Sequence, residues 1–214
     1  MGASLKSPKG RTRAGLLGRL KRLAANALLD LRFGGRFLGG LVRSRYKHLG
    51  ARDCSNSDYA ALALMWELFS LRPGDVVVDV GCGKGRVINF LLSRGVAGTI
   101  YGIEIDPLIA DATRRRLRRY RNVRILTGNA LECLPPEGTV FYLFNPFYDY
   151  VLREFKDRLA ALPNPEQIRI IYYNCVYLGV FSDDPAWTVE VCNPGEGRPG
   201  IFPAALITRR GMPG

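Results

Sequence analysis

The chain has 214 residues, 47% of them hydrophobic, which is enough for one well-buried domain and too few for two full ones. Its longest uninterrupted apolar run, Ala60 to Trp66, falls far short of a bilayer's thickness, so no transmembrane segment is expected. The five cysteines are scattered, odd in number and nowhere in C-x-x-C spacing; this argues against a disulfide framework or a structural zinc site and fits the reducing cytoplasm.

The net charge of +12 is unevenly placed: residues 1–50 hold twelve Lys or Arg against one acid, Asp30, and the other 164 residues hold nineteen basic and eighteen acidic side chains. Such an arm attracts nucleic acid, anionic lipid or acidic protein without choosing among them. Residues 1–13, rich in Gly, Ser, Pro, Lys and Arg, are expected to be disordered. From Ala14 to Leu31, Leu16, Leu17, Leu20, Leu23, Ala24, Ala27, Leu28 and Leu31 recur at helical spacing around Arg19, Lys21 and Arg22. That pattern predicts a basic amphipathic helix, which either covers the domain or contacts a membrane surface or nucleic acid. Residues 14–47 are therefore the candidate contact with an anionic surface. The acid-poor start also resembles a mitochondrial presequence, an alternative address.

Phe33 to Gly40 carries four glycines in eight residues and reads as a flexible joint. The division expected is a tail over 1–13, an arm and joint over 14–50, and a domain over 51–214. His48, the single histidine, lies in a basic segment and reads as a surface residue; one imidazole excludes a metal site built on several. Ser57 or Asp58 can cap a helix over 59–70 that is apolar nearly all round.

After Pro73-Gly74 strands and helices alternate: strand 75–80, helix 84–94, strand 99–104, helix 107–120, strands 123–127 and 139–144, helix 148–162, strands 167–173, 187–192 and 201–208. This predicts an α/β fold, three layers around a mostly parallel, doubly wound sheet, with the last two strands forming a hairpin through 193–200 and only a shrunken helix at 177–181 before them. The run Arg114-Arg115-Arg116-Leu117-Arg118-Arg119 cannot face one side of a helix; it reads mainly as solvated surface with Leu117 inward, or as a basic docking patch.

The stretch that organises the chain is Val76 to Arg86, a β-branched run ending in Asp79 and three alternating glycines, Gly81, Gly83 and Gly85. A strand that stops in an acid and a glycine turn before a helix opens a nucleotide-type site. A dinucleotide fingerprint needs a small sixth residue where Arg86 stands, and a P-loop string is absent. Glu104 follows Asp79 by one strand-helix-strand unit, 25 residues on, so both acids fall at one sheet edge, where an acid can accept both hydroxyls of a ribose. Further on, Thr127-Gly128-Asn129-Ala130 follows the third strand, and an apolar strand runs into Asn145-Pro146-Phe147-Tyr148.

Acid-x-G-x-G-x-G resembles motif I of the class I S-adenosylmethionine-dependent methyltransferases, over roughly residues 57–175. The resemblance implies a Rossmann-like sheet with a C-terminal antiparallel hairpin and S-adenosyl-L-methionine as cofactor. It assigns the cofactor to Asp79, Gly81, Cys82, Gly83, Gly85, Glu104, Ile105, Asn129, Ala130 and Asn145, with Cys82 a small spacer rather than a nucleophile. The family usually has an acid where Asn129 stands; Asn can still accept from the adenine amino group through its carbonyl oxygen. Asn-Pro-Phe-Tyr is similar to the Asn-Pro-Pro-aromatic motif of enzymes that methylate planar nitrogens, with Phe147 in place of the second proline. On that similarity the Asn145 side chain and the Pro146 carbonyl accept from the target amine, and Tyr148, or Phe147 in another register, stacks on the substrate. The same order of motifs also resembles the non-SET lysine methyltransferases and small bacterial relatives.

The implied function is methyl transfer to a nitrogen on a protein or nucleic acid. The alternatives are a small-molecule methyltransferase and a non-catalytic binding protein acting through the arm. No convincing general base stands out; Asp149 is the nearest acid in sequence. Asn56, Asp58 and Tyr59 are weaker candidates over the methionine end of the cofactor, with capping the competing role. Substrate pockets in this fold use the N-terminal segment and the loops after the fourth and fifth strands, here 145–150 and 174–185.

Overall fold

A computed structural model describes residues 13–53, 56–194 and 201–210, and only the backbone of residues 13–16 and Arg19. The expected disordered tail up to residue 12, Cys54 and most of the 193–200 turn lie outside the described residues.

Seven strands form one sheet: β1 (Val77–Val80), β2 (Ile100–Glu104), β3 (Val123–Thr127), β4 (Val140–Phe144), β5 (Arg169–Tyr173), β6 (Trp187–Cys192) and β7 (Ala204–Arg209), in the order β3-β2-β1-β4-β5-β7-β6. The first five run parallel, and β7 is antiparallel to both β5 and β6. The helices are α1 (Arg13–Gly34), α2 (Tyr59–Leu68), α3 (Arg86–Ser93), α4 (Pro107–Leu117), α5 (Asp149–Ala160) and the single turn α6 (Gly179–Ser182).

β1, β2 and β5 are buried along their whole length and β4 over all but its last residue, as expected of parallel strands covered on both faces. Strand alternation divides the core. Val77, Ile100, Tyr142 and Ile171 pack with Leu62 and Met65 of α2 and Ile88 and Leu91 of α3. Val78, Phe141, Leu143 and Ile170 pack with Phe155 of α5 and Phe181 of α6. At the far edge of the sheet Arg169 pairs with Asp75 and donates to the Ser70 carbonyl (3.0 Å), while Thr139 Oγ1 donates to Asp75 (3.0 Å). The strand order reverses between β1 and β4, where Val80 stands level with Ile103 on one side and Leu143 on the other. The loops after β1, β2 and β4 therefore meet around a single crevice at the switch point.

α1 docks on α3 in an unexpected way. Its body-facing residues are polar: Asn26 and Asp30 are buried, and Leu29 adds partial apolar contact. Asn26 accepts from the Tyr59 N–H (3.0 Å) and donates to Asp58 (3.1 Å). Asp30 is held by Arg86, through Nε (3.0 Å) and Nη2 (2.6 Å), by the Tyr59 hydroxyl (3.1 Å) and by the Leu38 N–H (3.0 Å). Most of the leucines read as the apolar face of the helix stand in solvent instead.

The glycine-rich stretch 33–40, expected to be a flexible joint, is strapped down. Arg116 and Arg119 donate to the Gly34 and Phe33 carbonyls (3.4 and 3.1 Å), and the Lys84 ammonium bridges those of Gly39 and Gly40 (2.8 and 3.2 Å). Cations at the C-terminal end of α1 also answer its unsatisfied carbonyls and dipole. The arginine run of α4 is thus only partly solvated surface. Leu117 is buried as expected, and Arg114 caps the Ile125 carbonyl (3.0 Å).

Candidate active site

The turn after β1 is built from three glycines with positive φ: Gly81 (74°), Gly83 (52°) and Gly85 (74°). A side chain at any of them would be strained, and a Cβ on Gly81 would lie 3.3 Å from the Pro146 ring. The turn is anchored by N–H bonds from Gly81 and Cys82 to the Ile103 carbonyl (2.9 Å each) and by the Thr113 hydroxyl on the Gly83 carbonyl (2.9 Å). Cys82 is buried against Gly102 of β2, the spacer position expected of it.

Two carboxyls face this turn. Glu104 accepts from the Gly83 N–H (2.8 Å) and the Asp106 N–H (2.9 Å); burial pushes its pKa up, and those two N–H groups pull the other way. Asp79 is 3% exposed and its Oδ2 has no hydrogen-bond partner. Burial, helped by the Glu104 charge, pushes its pKa up to about 8. A buried carboxyl oxygen without a donor is uncommon and calls for an explanation.

Beside them opens a cleft of about 660 Å³, lined by Gly81, Glu104, Ile105, Asn129, Ala130 and Pro146 on the domain side. Its outer wall is Val42 to Ser44 with Leu49, Ala51 and Arg52. That wall is a strap tied to the loop after β4: the Arg52 N–H donates to the Pro146 carbonyl (3.0 Å), the Tyr148 N–H donates to the Gly50 carbonyl (3.3 Å), and Ala51 bridges Phe147. Asp53 closes the strap on itself by accepting from Ser44 N–H (3.0 Å) and pairing with Lys47 (2.9 Å). The sequence carried no periodic signal for this segment, and its role in the cleft was missed.

Asn129 turns its side-chain oxygen to the Leu131 N–H (3.1 Å), so the lone pair expected to meet an adenine amino group is half committed to the chain's own turn. Of the weaker candidates, Asp58 caps α2 through the Ala60 N–H (2.9 Å), Tyr59 is buried on Asp30, and Asn56 lines the neighbouring cavity.

That second cavity, about 950 Å³, lies between the ends of β4 and β5 and is lined by Phe144, Asn145, Tyr148, Asn174, Phe202, Asn56, Lys47, Arg52 and Asp53. Asn145 and Asn174, each following its strand, are the two non-glycine residues with positive φ among those described (44° and 53°). Asparagine tolerates that conformation better than most side chains, and strain of this kind collects at functional sites. Asn145 is 4% exposed and held by a relay in which the Tyr177 N–H donates to the Tyr172 hydroxyl (3.4 Å) and that hydroxyl donates to Asn145 Oδ1 (3.2 Å). Burial pushes the Tyr172 phenol up to about 12, so it remains a donor at neutral pH. Sequence reasoning missed Tyr172; in Ile170-Ile171-Tyr172-Tyr173 only the polar tip of an otherwise apolar strand end pointed to it.

Three details of the motif reading change. Phe147 is buried against Phe155 (centroids 5.4 Å apart), whereas Tyr148 is exposed and lies under the Arg52 guanidinium (5.6 Å). The Pro146 carbonyl expected to meet the target amine accepts from the Arg52 N–H, and like Asn145 Oδ1 it keeps one lone pair. Asp149 is exposed in the first turn of α5 and is absent from the cavity wall.

Residues 77–165 match a family model described as a methyltransferase domain, and the sheet order, the glycine turn and the paired acids are those of the class I S-adenosylmethionine-dependent methyltransferase fold. The chain is 37% identical over 151 residues to a ribosomal protein L11 methyltransferase of Burkholderia mallei, covering 64% of this chain and 48% of that protein. It is 27% identical over 86 residues to the ribosomal RNA small subunit methyltransferase A of Syntrophus aciditrophicus, covering 40% and 29%. The chain thus spans less than half the length of these curated relatives. Among solved structures, an RNA methyltransferase from Salinibacter ruber in complex with S-adenosyl-L-homocysteine aligns with a TM-score of 0.53 at 22% identity, over 75% of this chain and 97% of that one. TrmN from Thermus thermophilus aligns with a TM-score of 0.53 at 18% identity, over 70% and 48%. At those identities the structural likeness speaks for the fold.

The residues present fit the family's cofactor, S-adenosylmethionine, on the structure's own terms. Of the predicted cofactor residues, Gly81, Glu104, Ile105, Asn129 and Ala130 line the cleft, Asn145 lines the second cavity, and Asp79, Cys82, Gly83 and Gly85 are off both walls. Glu104 keeps lone pairs for hydroxyls, Ile105 and Ala130 are apolar, and the buried Asp79 oxygen behind the wall is an acceptor still without a donor.

Proposed function

We propose that the protein transfers a methyl group from S-adenosylmethionine to a nitrogen acceptor on a macromolecule, a nucleic acid or a protein. The observation that carries this reading is Asn145, fixed by the Tyr172 relay at the end of β4, on the wall of an open cavity. Bound in the cleft, the cofactor supplies a methyl group already activated on a sulfonium. The chain's own residues then have mainly to position the acceptor. Asn145 Oδ1, one lone pair taken by Tyr172, has the other free to accept from an N–H and so hold the nitrogen lone pair toward the methyl. The nitrogen takes the methyl, S-adenosylhomocysteine leaves, and the displaced proton passes to solvent. Tyr148 provides an aromatic face, and Lys47 and Arg52 make the rim of the cavity cationic. The acid on that wall, Asp53, is held below the ordinary carboxylate range, chiefly by Lys47, which suits it to bracing the strap rather than to taking a proton.

A macromolecular acceptor is supported by the cationic residues on the rim of this cavity and by relatives whose names refer to ribosomal RNA and a ribosomal protein. The test is transfer of labelled methyl from S-adenosylmethionine to ribosomal RNA, ribosomal proteins and small amines, with wild type beside Asn145→Gly, a substitution that keeps the positive φ. We expect labelling of one macromolecular class, reduced by about a hundredfold or more in the variant while S-adenosylhomocysteine still binds. Turnover confined to small amines, or a variant as active as wild type, would sink the reading.

A further inference from the structure

A helix that served only to cover a domain would turn its apolar side inward and its charges to water. α1 does the reverse. Its inward row is Asn26 and Asp30, both buried and hydrogen-bonded, and its outward row is Leu17, Leu20, Ala24, Leu28 and Leu31. These five positions, three or four residues apart, make one continuous stripe along the helix. The four leucines are 53–67% exposed, and no described part of the chain covers them.

The charge around the stripe narrows what can. Lys21 and Arg32 flank it in solvent, Arg36 follows just beyond the helix, and Lys6, Lys9 and Arg11 precede it in sequence. The single acid of residues 1–50, Asp30, is fully buried under Arg86, so it offsets none of this charge at the surface. A second copy of the chain seated on the stripe would bring two such arms together and repel. Nucleic acid would answer the cations, but it offers no apolar phase for four leucines. A surface with anionic headgroups above acyl chains answers both, the cations staying at the headgroup level while the leucines enter the acyl boundary.

We infer that α1 docks the protein on an anionic lipid surface through the stripe Leu17, Leu20, Ala24, Leu28 and Leu31. The polar lock to Asn26 and Asp30 holds the stripe outward, so the domain and its cleft ride on the helix as one body, with no unfolding of α1 from α3 needed.

The test is flotation of the full-length chain with phosphatidylcholine vesicles, with and without phosphatidylglycerol. We expect binding to the anionic vesicles that falls with added salt, weakens by about tenfold or more when Leu17, Leu20, Leu28 and Leu31 are all changed to Gln, and is weak on phosphatidylcholine alone. Glutamine is a good helix former, and S-adenosylhomocysteine binding reports that the variant is folded and that the cofactor reading stands apart from this one. The charge reversals Lys21→Glu and Arg32→Glu should also release the protein from anionic vesicles. The inference is overturned if anionic vesicles do not retain the wild type, if they retain the leucine variant equally well, or if ultracentrifugation shows a dimer that the leucine variant splits.

Discussion

Asp30 and Asp79 are both buried aspartates beside the same glycine turn, and they differ in nearly everything else. Asp30 accepts four hydrogen bonds, two of them from Arg86, the first residue of α3. Asp79 has an oxygen with no donor, a carboxylate for its nearest charge and a raised pKa. A fold can carry a buried acid cheaply when a cation shares the burial, and it carries one expensively where a ligand is to complete the pair. The first arrangement is architecture; the second costs stability, and a cofactor that pairs with Asp79 is the explanation the proposed function offers for it.

The comparison breaks most visibly at Asp30. Asp30→Ala leaves the Arg86 guanidinium buried without its partner and should destabilise the domain by about 3–5 kcal/mol in urea unfolding; a loss under about 1 kcal/mol would mean that α1 is not part of the domain's stability. Removing residues 1–40 strips Arg86 in the same way, so a truncated chain cannot report on the arm's role in substrate choice. Asp79→Asn should do the opposite, leaving unfolding free energy unchanged or higher while S-adenosylhomocysteine binding in calorimetry weakens by roughly a hundredfold. Equal binding in that variant would remove Asp79 from the cofactor site.

A third measurement sharpens the contrast through pH. In the unfolded chain the Asp79 carboxyl ionises near its ordinary 3.8, and in the fold near 8. Between those values the unfolded state has released a proton that the folded state keeps, so the Asp79 contribution to stability falls steadily from about pH 4 and is at its lowest above about pH 8. Stability measured across that window should therefore decline more in wild type than in Asp79→Asn. Glu104, raised in the same sense, leaves a residual slope in the variant. Parallel curves would show that Asp79 ionises normally in the fold.

Where information was local, the sequence spelled it out. Val77 to Val80, broken only by Asp79, and Ile100 to Ile103 are short apolar runs closed by a turn, and burial on both faces leaves few other places for them. Pro107 fitted the start of α4, and the structure adds that Asp106 caps it through the Leu108 N–H (2.9 Å). The three glycines declared the turn because only glycine adopts its φ values freely. What stayed hidden depended on partners far along the chain. Arg86 could be read only as the residue that breaks a dinucleotide fingerprint; its positive role needs Asp30, 56 residues earlier. The amphipathic pattern of α1 was plain, but which face meets the body was decided by Asn26 and Asp30, each of which looked like an interruption. Phe147 and Tyr148 are adjacent aromatics, and only the bridge from Ala51 to Phe147 settles which one enters the core.

The strapping of α1 also sets an order of events during synthesis. α1 leaves the ribosome before the residues that hold it: Arg86 follows Asp30 by 56 residues, and Arg116 and Arg119 follow the carbonyls they hold by 82 and 86. Until Arg86, and after it Arg116 and Arg119, have been made, α1 lacks these partners, and it must wait as a basic, leucine-bearing segment with its one acid unpaired. Nascent chains stalled before and after residue 120 should differ in whether a protease can cut within α1.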